Sequence, residues 1–182
     1  MALDYIPLTA TAGKQRTTAE LRLLAFERMR NLGYPHVACE FSPANSGCRF
    51  DVIGVGRYTR QVRIYEVKSS RTDYLADSKW ERYLPYCTHF AFVAPAGAIA
   101  RWELEPDIGL IEYGHPCLER MLANRRFGFT IGRSDVLRST RPSRRLRPAV
   151  GDPEWIAVLE SIAFTRVEAA PIDVTFTDGA GI

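Results

Sequence analysis

The sequence predicts an α/β fold, and three observations predict it. Segments with apolar residues at helical spacing alternate with short extended runs; glycine, proline and small polar residues punctuate the boundaries; and two extended runs lie close enough to pair as a hairpin. A chain of 182 residues can bury roughly 70% of its unfolded surface in one domain. Its 46% hydrophobic and 25% charged residues exclude a wholly disordered chain. No apolar run reaches the length of a membrane span, so no membrane association is expected. Residues 1–13 lack a basic region ahead of an apolar stretch, so no secretory signal is expected and the protein is placed in the cytoplasm.

Taken in order, residues 1–15 read as an N-terminal arm. Residues 16–32 read as a helix with Leu21, Leu24, Ala25 and Leu32 on one face, Met29 beside it and Gly33 as the stop. Residues 36–41 suit a short strand, followed by a turn at 42–47. Residues 49–55 and 61–69 are the hairpin. Thr72 is placed as the cap of a helix running to Leu84, where Pro85 ends it. Residues 89–94 and 108–113 are apolar strands, and 118–124 a short helix. Residues 125–147 hold eight arginines and one acid, Asp135. Asp152-Pro153-Glu154 then opens a helix bearing Trp155, Ile156, Leu159, Ile162 and Ala163. The domain division expected is the arm at 1–15, a core at 16–127, an arginine-rich linker at 128–150, and a C-terminal helix and mobile tail at 151–182. Cys39, Cys48, Cys87 and Cys117 have no metal-site spacing and are expected as buried thiols.

The hairpin carries the chemistry. In a strand, Glu66 and Lys68 project from the same face as Val62 and Ile64, whereas Tyr65 and Val67 point the other way. An apolar row therefore ends in a carboxylate and an ammonium. Asp51, near the start of the preceding strand, falls across from them if the pair is antiparallel. Two carboxylates with a carbonyl oxygen, such as that of Val67, make a hard oxygen site for Mg²⁺ or Mn²⁺. A lysine beside such a site can position a water, assist its deprotonation or stabilise a pentavalent phosphorus. For Glu66 and Lys68 taken alone, a solvated strand-end ion pair, in which the lysine buries little, is the simpler account, because the tripeptide is common.

Context separates the two readings. Asp51, the 14-residue gap, and Glu66-Val67-Lys68-Ser69-Ser70 are followed by Asp73, Asp77, Lys79-Trp80, Tyr83, Tyr86-Cys87 and the run from Phe90 to Pro95. This order resembles the PD-(D/E)XK nuclease superfamily, and more closely its MmcB-type DNA repair branch. The resemblance covers roughly residues 16–125 and implies a restriction-endonuclease-like core: a mixed central sheet of three or four strands flanked by helices, here with a C-terminal extension. It implies metal ligation by Asp51 and Glu66 and catalysis by Lys68. The superfamily's fourth position, a glutamate of the first helix, falls on Glu20, although Thr17-x-x-Glu20 is also a capping box; Glu40 is a weaker candidate.

The resemblance also implies contact with the DNA backbone by Lys79 and Tyr83, four apart on the helix after Lys68, with core packing as the competitor for Tyr83. Ser69 and Ser70 suit either phosphate contact or helix capping, and capping is the simpler role. The arginine-rich stretch, including Arg141, Arg144 and Arg145, suits phosphate contact or a solubilising linker. The function expected is a Mg²⁺- or Mn²⁺-dependent nuclease acting on DNA, in repair or processing. The partner expected is DNA, with a homodimer left open. The rival is a nucleic-acid-binding module on the same fold that has lost catalysis.

Overall fold

The computed structural model describes residues 17–56, 59–114 and 137–168, the side chains of 164–168 excepted. Among them six strands form one sheet in the order β1 (His36–Phe41), β2 (Phe50–Val55), β3 (Val62–Val67), β4 (His89–Pro95), β5 (Gly109–Tyr113) and β6 (Leu137–Arg141). β3, β4 and β5 run parallel, and the outer pairings are antiparallel. The sheet is mixed and flanked by helices, as expected, but wider than three or four strands. The sixth strand comes from within the arginine-rich stretch expected as a linker.

Helix α1 (Thr18–Asn31) covers one face of the sheet. Leu21, Leu24, Ala25 and Met29 pack there with Val52, Tyr65, Val67, Ala91 and Val93. Leu32 is not on the buried face. It is the C-cap and 51% exposed, because the chain turns out at Gly33, whose φ of 85° favours glycine. The opposite face carries Ile53, Ile64, Phe90 and Phe92. It is closed by a 3-10 helix (Trp80–Tyr86) and by the C-terminal helix, here α3 (Asp152–Glu168), through Tyr83, Trp155, Val158 and Ile162. Ile156 and Leu159 lie on the outer side of α3. With helices on both faces, β3 is buried on both sides, so its alternation is read by which core each residue joins.

The segment after β3 departs from the expected single helix. Ser70, not Thr72, caps a short helix α2 (Arg71–Ala76), which ends at Asp77. The Asp77 carboxylate accepts the Lys79 N–H at 2.7 Å, a local bond that competes with helix continuation. Lys79 and Tyr83 therefore do not share one α-helical face. Cys48 and Cys87 are buried, and Cys39 is exposed on the outer strand. The arm at 1–15, Cys117, the helix at 118–124, the arginines at 125, 126 and 133 and the tail at 169–182 lie outside the described residues. No helix among the described residues is long and apolar enough to cross a membrane.

α1 is seated through one close approach. A Cβ on Gly54 of β2 would lie 2.6 Å from Met29 Cγ and 2.7 Å from its Sδ. Met29 is fully buried and has little room to yield. Gly54→Ala is expected to cost about 1–3 kcal/mol by overpacking. Urea unfolding checks this, and unchanged stability would mean that α1 is not seated on β2 in this way.

Candidate active site

The ladder between β2 and β3 pairs Val52 with Tyr65, so the next step brings Asp51 to Glu66. The expected convergence is present. Asp51 Oδ2 accepts the Val67 N–H at 2.8 Å, which fixes the first carboxylate against the backbone between Glu66 and Lys68. Lys68 Nζ donates to Glu66 Oε1 at 3.0 Å. Glu66 and Lys68 are only 7% and 5% exposed. They are not a solvated strand-end pair, and Lys68 does not bury little. A buried ion pair needs close geometry and further partners to offset desolvation, and the remaining partners come from elements far from the hairpin.

One is Asp77, where α2 stops. Its Oδ2 lies 2.6 Å from Lys68 Nζ. The contact is a close ion pair outside regular hydrogen-bond angles, and at this distance it is the strongest influence holding the Lys68 pKa up. Lys68 therefore sits between two carboxylates. Burial by itself lowers its pKa, but Asp77 and Glu66 outweigh burial and leave it above the ordinary lysine value. Lys68 is an ammonium here, and assistance by taking a proton from water is not the role this setting favours.

The second is Arg22 of α1, which bridges Asp51 Oδ1 at 3.2 Å and Glu40 Oε1 at 2.7 Å. Sequence reasoning missed Arg22 altogether and weighed Glu40 only as a metal ligand. Asp77 was noted only as a motif position. Nothing in the local pattern marks Arg22 or Asp77, because each reaches the site by tertiary packing.

Glu66 carries the main electrostatic tension. Burial, then the Asp51 charge, push its carboxyl up to about 7, with Lys68 pulling the other way. Its Oε2 is buried without a hydrogen-bond partner. Tyr83 packs edge-on to Phe50, with ring centroids 5.1 Å apart. Burial and the Glu66 and Asp77 charges push its phenol up to about 12, so it belongs both to the core and to the rim of this cluster.

The remaining expected residues are placed as follows. Glu20 closes the capping box, accepting the Thr17 N–H at 2.9 Å; α1 presents Arg22, not Glu20, to Asp51. Ser70 Oγ accepts the Asp73 N–H at 3.1 Å, and the Ser69 N–H and Oγ–H both donate to Asp73 Oδ2, so both serines build the start of α2. Lys79 is exposed, and its N–H rather than its ammonium touches the site, through Asp77. Arg141 donates to the carbonyls of Arg101, Leu104 and Glu105, whereas Arg144 and Arg145 are exposed.

The donor set expected from the sequence is two carboxylates, Asp51 and Glu66, and the Val67 carbonyl. Among the described residues no group of three or more His, Cys, Asp or Glu side chains is placed to hold a metal ion. An ion that keeps its waters and takes substrate phosphate needs no such group. The unpartnered Glu66 Oε2 beside Asp51 is the kind of oxygen pair that Mg²⁺ or Mn²⁺ suits, so the residues fit.

Three comparisons bear on this site. A family model described as DNA repair protein MmcB-like matches residues 9–119. Among curated proteins none matches significantly. A solved structure, the SPO1766 protein of unknown function from Silicibacter pomeroyi, aligns with a TM-score of 0.56 and 22% identity over 96% of this chain and 99% of that one. At that identity the likeness speaks for the fold alone.

The raised Glu66 pKa has a definite sign for stability. The folded protein holds the proton more tightly than the unfolded chain between about pH 4.5 and 7, so stability falls as pH rises through that window. Glu66→Gln removes this titration. In metal-free buffer the variant is expected to exceed the parent protein by on the order of 2 kcal/mol at pH 8, the gain shrinking toward pH 4.5. Urea unfolding across pH measures it; a difference that does not vary with pH would show that Glu66 is not the strained group.

Proposed function

The chain belongs to the MmcB-like family of DNA repair proteins, and from that premise we propose that it is a Mg²⁺- or Mn²⁺-dependent nuclease that hydrolyses DNA phosphodiester bonds. The observation that carries the reading is the buried Glu66–Lys68 pair meeting Asp51 at one end of the hairpin, with one carboxylate oxygen left unpartnered. A purely binding surface gains nothing from this arrangement, because burying carboxylates repels phosphate and costs stability.

Asp51, Glu66 and the Val67 carbonyl would hold the divalent cation, which when bound supplies Lewis-acid polarisation of the phosphodiester and a more acidic water. The chain's own residues do the rest. The Val67 N–H holds Asp51 in place. The Lys68 ammonium, kept charged by Asp77 and Glu66, stands beside the carboxylates to offset charge developing on the phosphoryl oxygens. Asp77 is a positioning residue for that ammonium. Arg144 and Arg145 offer phosphate contacts that orient DNA without reading its sequence.

Purified protein with single-stranded, duplex and branched DNA, with Mg²⁺, Mn²⁺ or chelator, is the direct test. Cleavage only with the divalent ions is expected. DNA binding with no cleavage under any condition would favour the rival, a nucleic-acid-binding module that has lost catalysis.

Two substitutions sharpen it. Lys68→Gln keeps an amide that can donate to Glu66 while removing the charge, so the fold is expected to persist and cleavage to slow by roughly a hundredfold. Lys68→Arg is not expected to restore the rate, since a bulkier fork must enter a site only 5% exposed. A Lys68→Gln protein cutting at the parent rate would remove Lys68 from the mechanism. Replacing both Arg144 and Arg145 by Gln is expected to reduce the slope of log affinity against log salt by about 2. An unchanged slope would take these arginines out of the interface.

A further inference from the structure

Three features mark the surroundings of Arg22. Its guanidinium is divided between Asp51, at 3.2 Å, and Glu40, at 2.7 Å. Its Nε, like those of Arg28 and Arg147, is buried with no hydrogen-bond partner. And Glu40 holds φ at 50°, in the left-handed region that side chains with a Cβ rarely adopt. Glu40 occupies the step of the β1–β2 ladder between the pairs Cys39–Val52 and Phe41–Phe50, opposite Asp51. A strained backbone at that position, kept in a strand where an extended residue would pair normally, points to a use for its side chain.

The use follows from competition for Asp51. A divalent cation held by Asp51 and Glu66 and the Arg22 guanidinium both draw on the same carboxylate, and they repel one another. A phosphodiester offers a guanidinium two oxygens in the spacing its fork matches, which a single contact to each of two separate carboxylates does not. The Arg22 and Asp51 side chains are 20% and 18% exposed and that of Glu40 is 47% exposed, so the pair opens to solvent where a phosphate can reach it. Resting on the nuclease reading above, we propose that Arg22 is a substrate-phosphate ligand, held on Asp51 and Glu40 in the free protein and transferred to a DNA phosphodiester on binding, which leaves Asp51 to the cation. Glu40 is then the return station that keeps the guanidinium at the site between substrates.

The test separates cation from DNA. Titration with Mn²⁺ alone, by calorimetry, and DNA binding in chelator, by anisotropy with single-stranded, duplex and branched oligonucleotides, are run on the parent protein and on Arg22→Gln. The substitution is expected to tighten Mn²⁺ several-fold and to weaken DNA roughly tenfold, opposite effects from one change. Glu40→Gln leaves α1 untouched and releases one end of the guanidinium; it is expected to strengthen DNA binding several-fold, and it decides the matter if Arg22→Gln does not fold. Unchanged DNA affinity in either variant, or Mn²⁺ affinity in Arg22→Gln that does not rise, overturns the proposal and leaves Arg22 as a structural clamp. A parent protein that binds none of the oligonucleotides overturns the DNA reading together with it; binding by the parent that Arg22→Gln matches overturns the Arg22 role alone.

Discussion

A carboxylate at the end of a strand buried on both faces, with a second carboxylate across the ladder, requires cations to be brought to it. Glu66 and Asp51 impose that requirement. Lys68 answers for Glu66 from two residues along the same face, and Arg22 answers for Asp51 from the overlying helix. Each answer depends on structure elsewhere. Lys68 sits between two acids, so α2 must stop at Asp77 for its carboxylate to reach back. Arg22 is carried over Asp51 by α1, whose other end is seated on Gly54 through Met29. The helix end after β3 thus serves the same electrostatic demand.

That demand also explains how far the sequence could be read. Period-two alternation in residues 62–68 gave the faces correctly: Val62 and Ile64 share one core, Tyr65 and Val67 the other, and the charged pair ends the first row. The antiparallel hairpin brought Asp51 to Glu66 as expected. Both inferences use only neighbours along the chain and one short turn. Arg22 and Asp77 required knowing where a helix would land and where another would stop. Thr17 and Glu20 illustrate the converse, a local capping signal strong enough to be visible in sequence and realised as such. The helix from 72 to 84 failed for a related reason: an aspartate that bonds the backbone two residues on ends helices, and here that bond coincides with the pull of Lys68.

The arginine-rich stretch shows why composition alone could not divide the chain. Leu137–Arg141 completes the sheet against β5. The following loop is tied to the core by the Leu146 N–H, which donates to Thr88, and by Val150, which is buried. Its arginines take separate parts. Arg141 is consumed by three main-chain carbonyls, while Arg144 and Arg145 remain exposed. A count of guanidiniums overstates the charge left free on the surface, since the Arg141 fork is already engaged by carbonyls.

The placement of protons narrows the chemistry the site can perform. Lys68 is held charged, so it can donate a hydrogen bond and a field but cannot accept a proton from water. Glu66, raised to about 7, is the group of the pair that exchanges a proton near neutral pH in the cation-free protein. A carboxylate must be deprotonated to ligate a metal, so in the proposed nuclease a proton and the divalent cation would compete for Glu66. The burial that makes the ionised form costly without a cation makes it favourable with one. The same geometry thus gives Lys68 a constant charge and Glu66 a conditional one; on the proposed nuclease reading, it is the conditional charge that would link cation binding to hydrolysis.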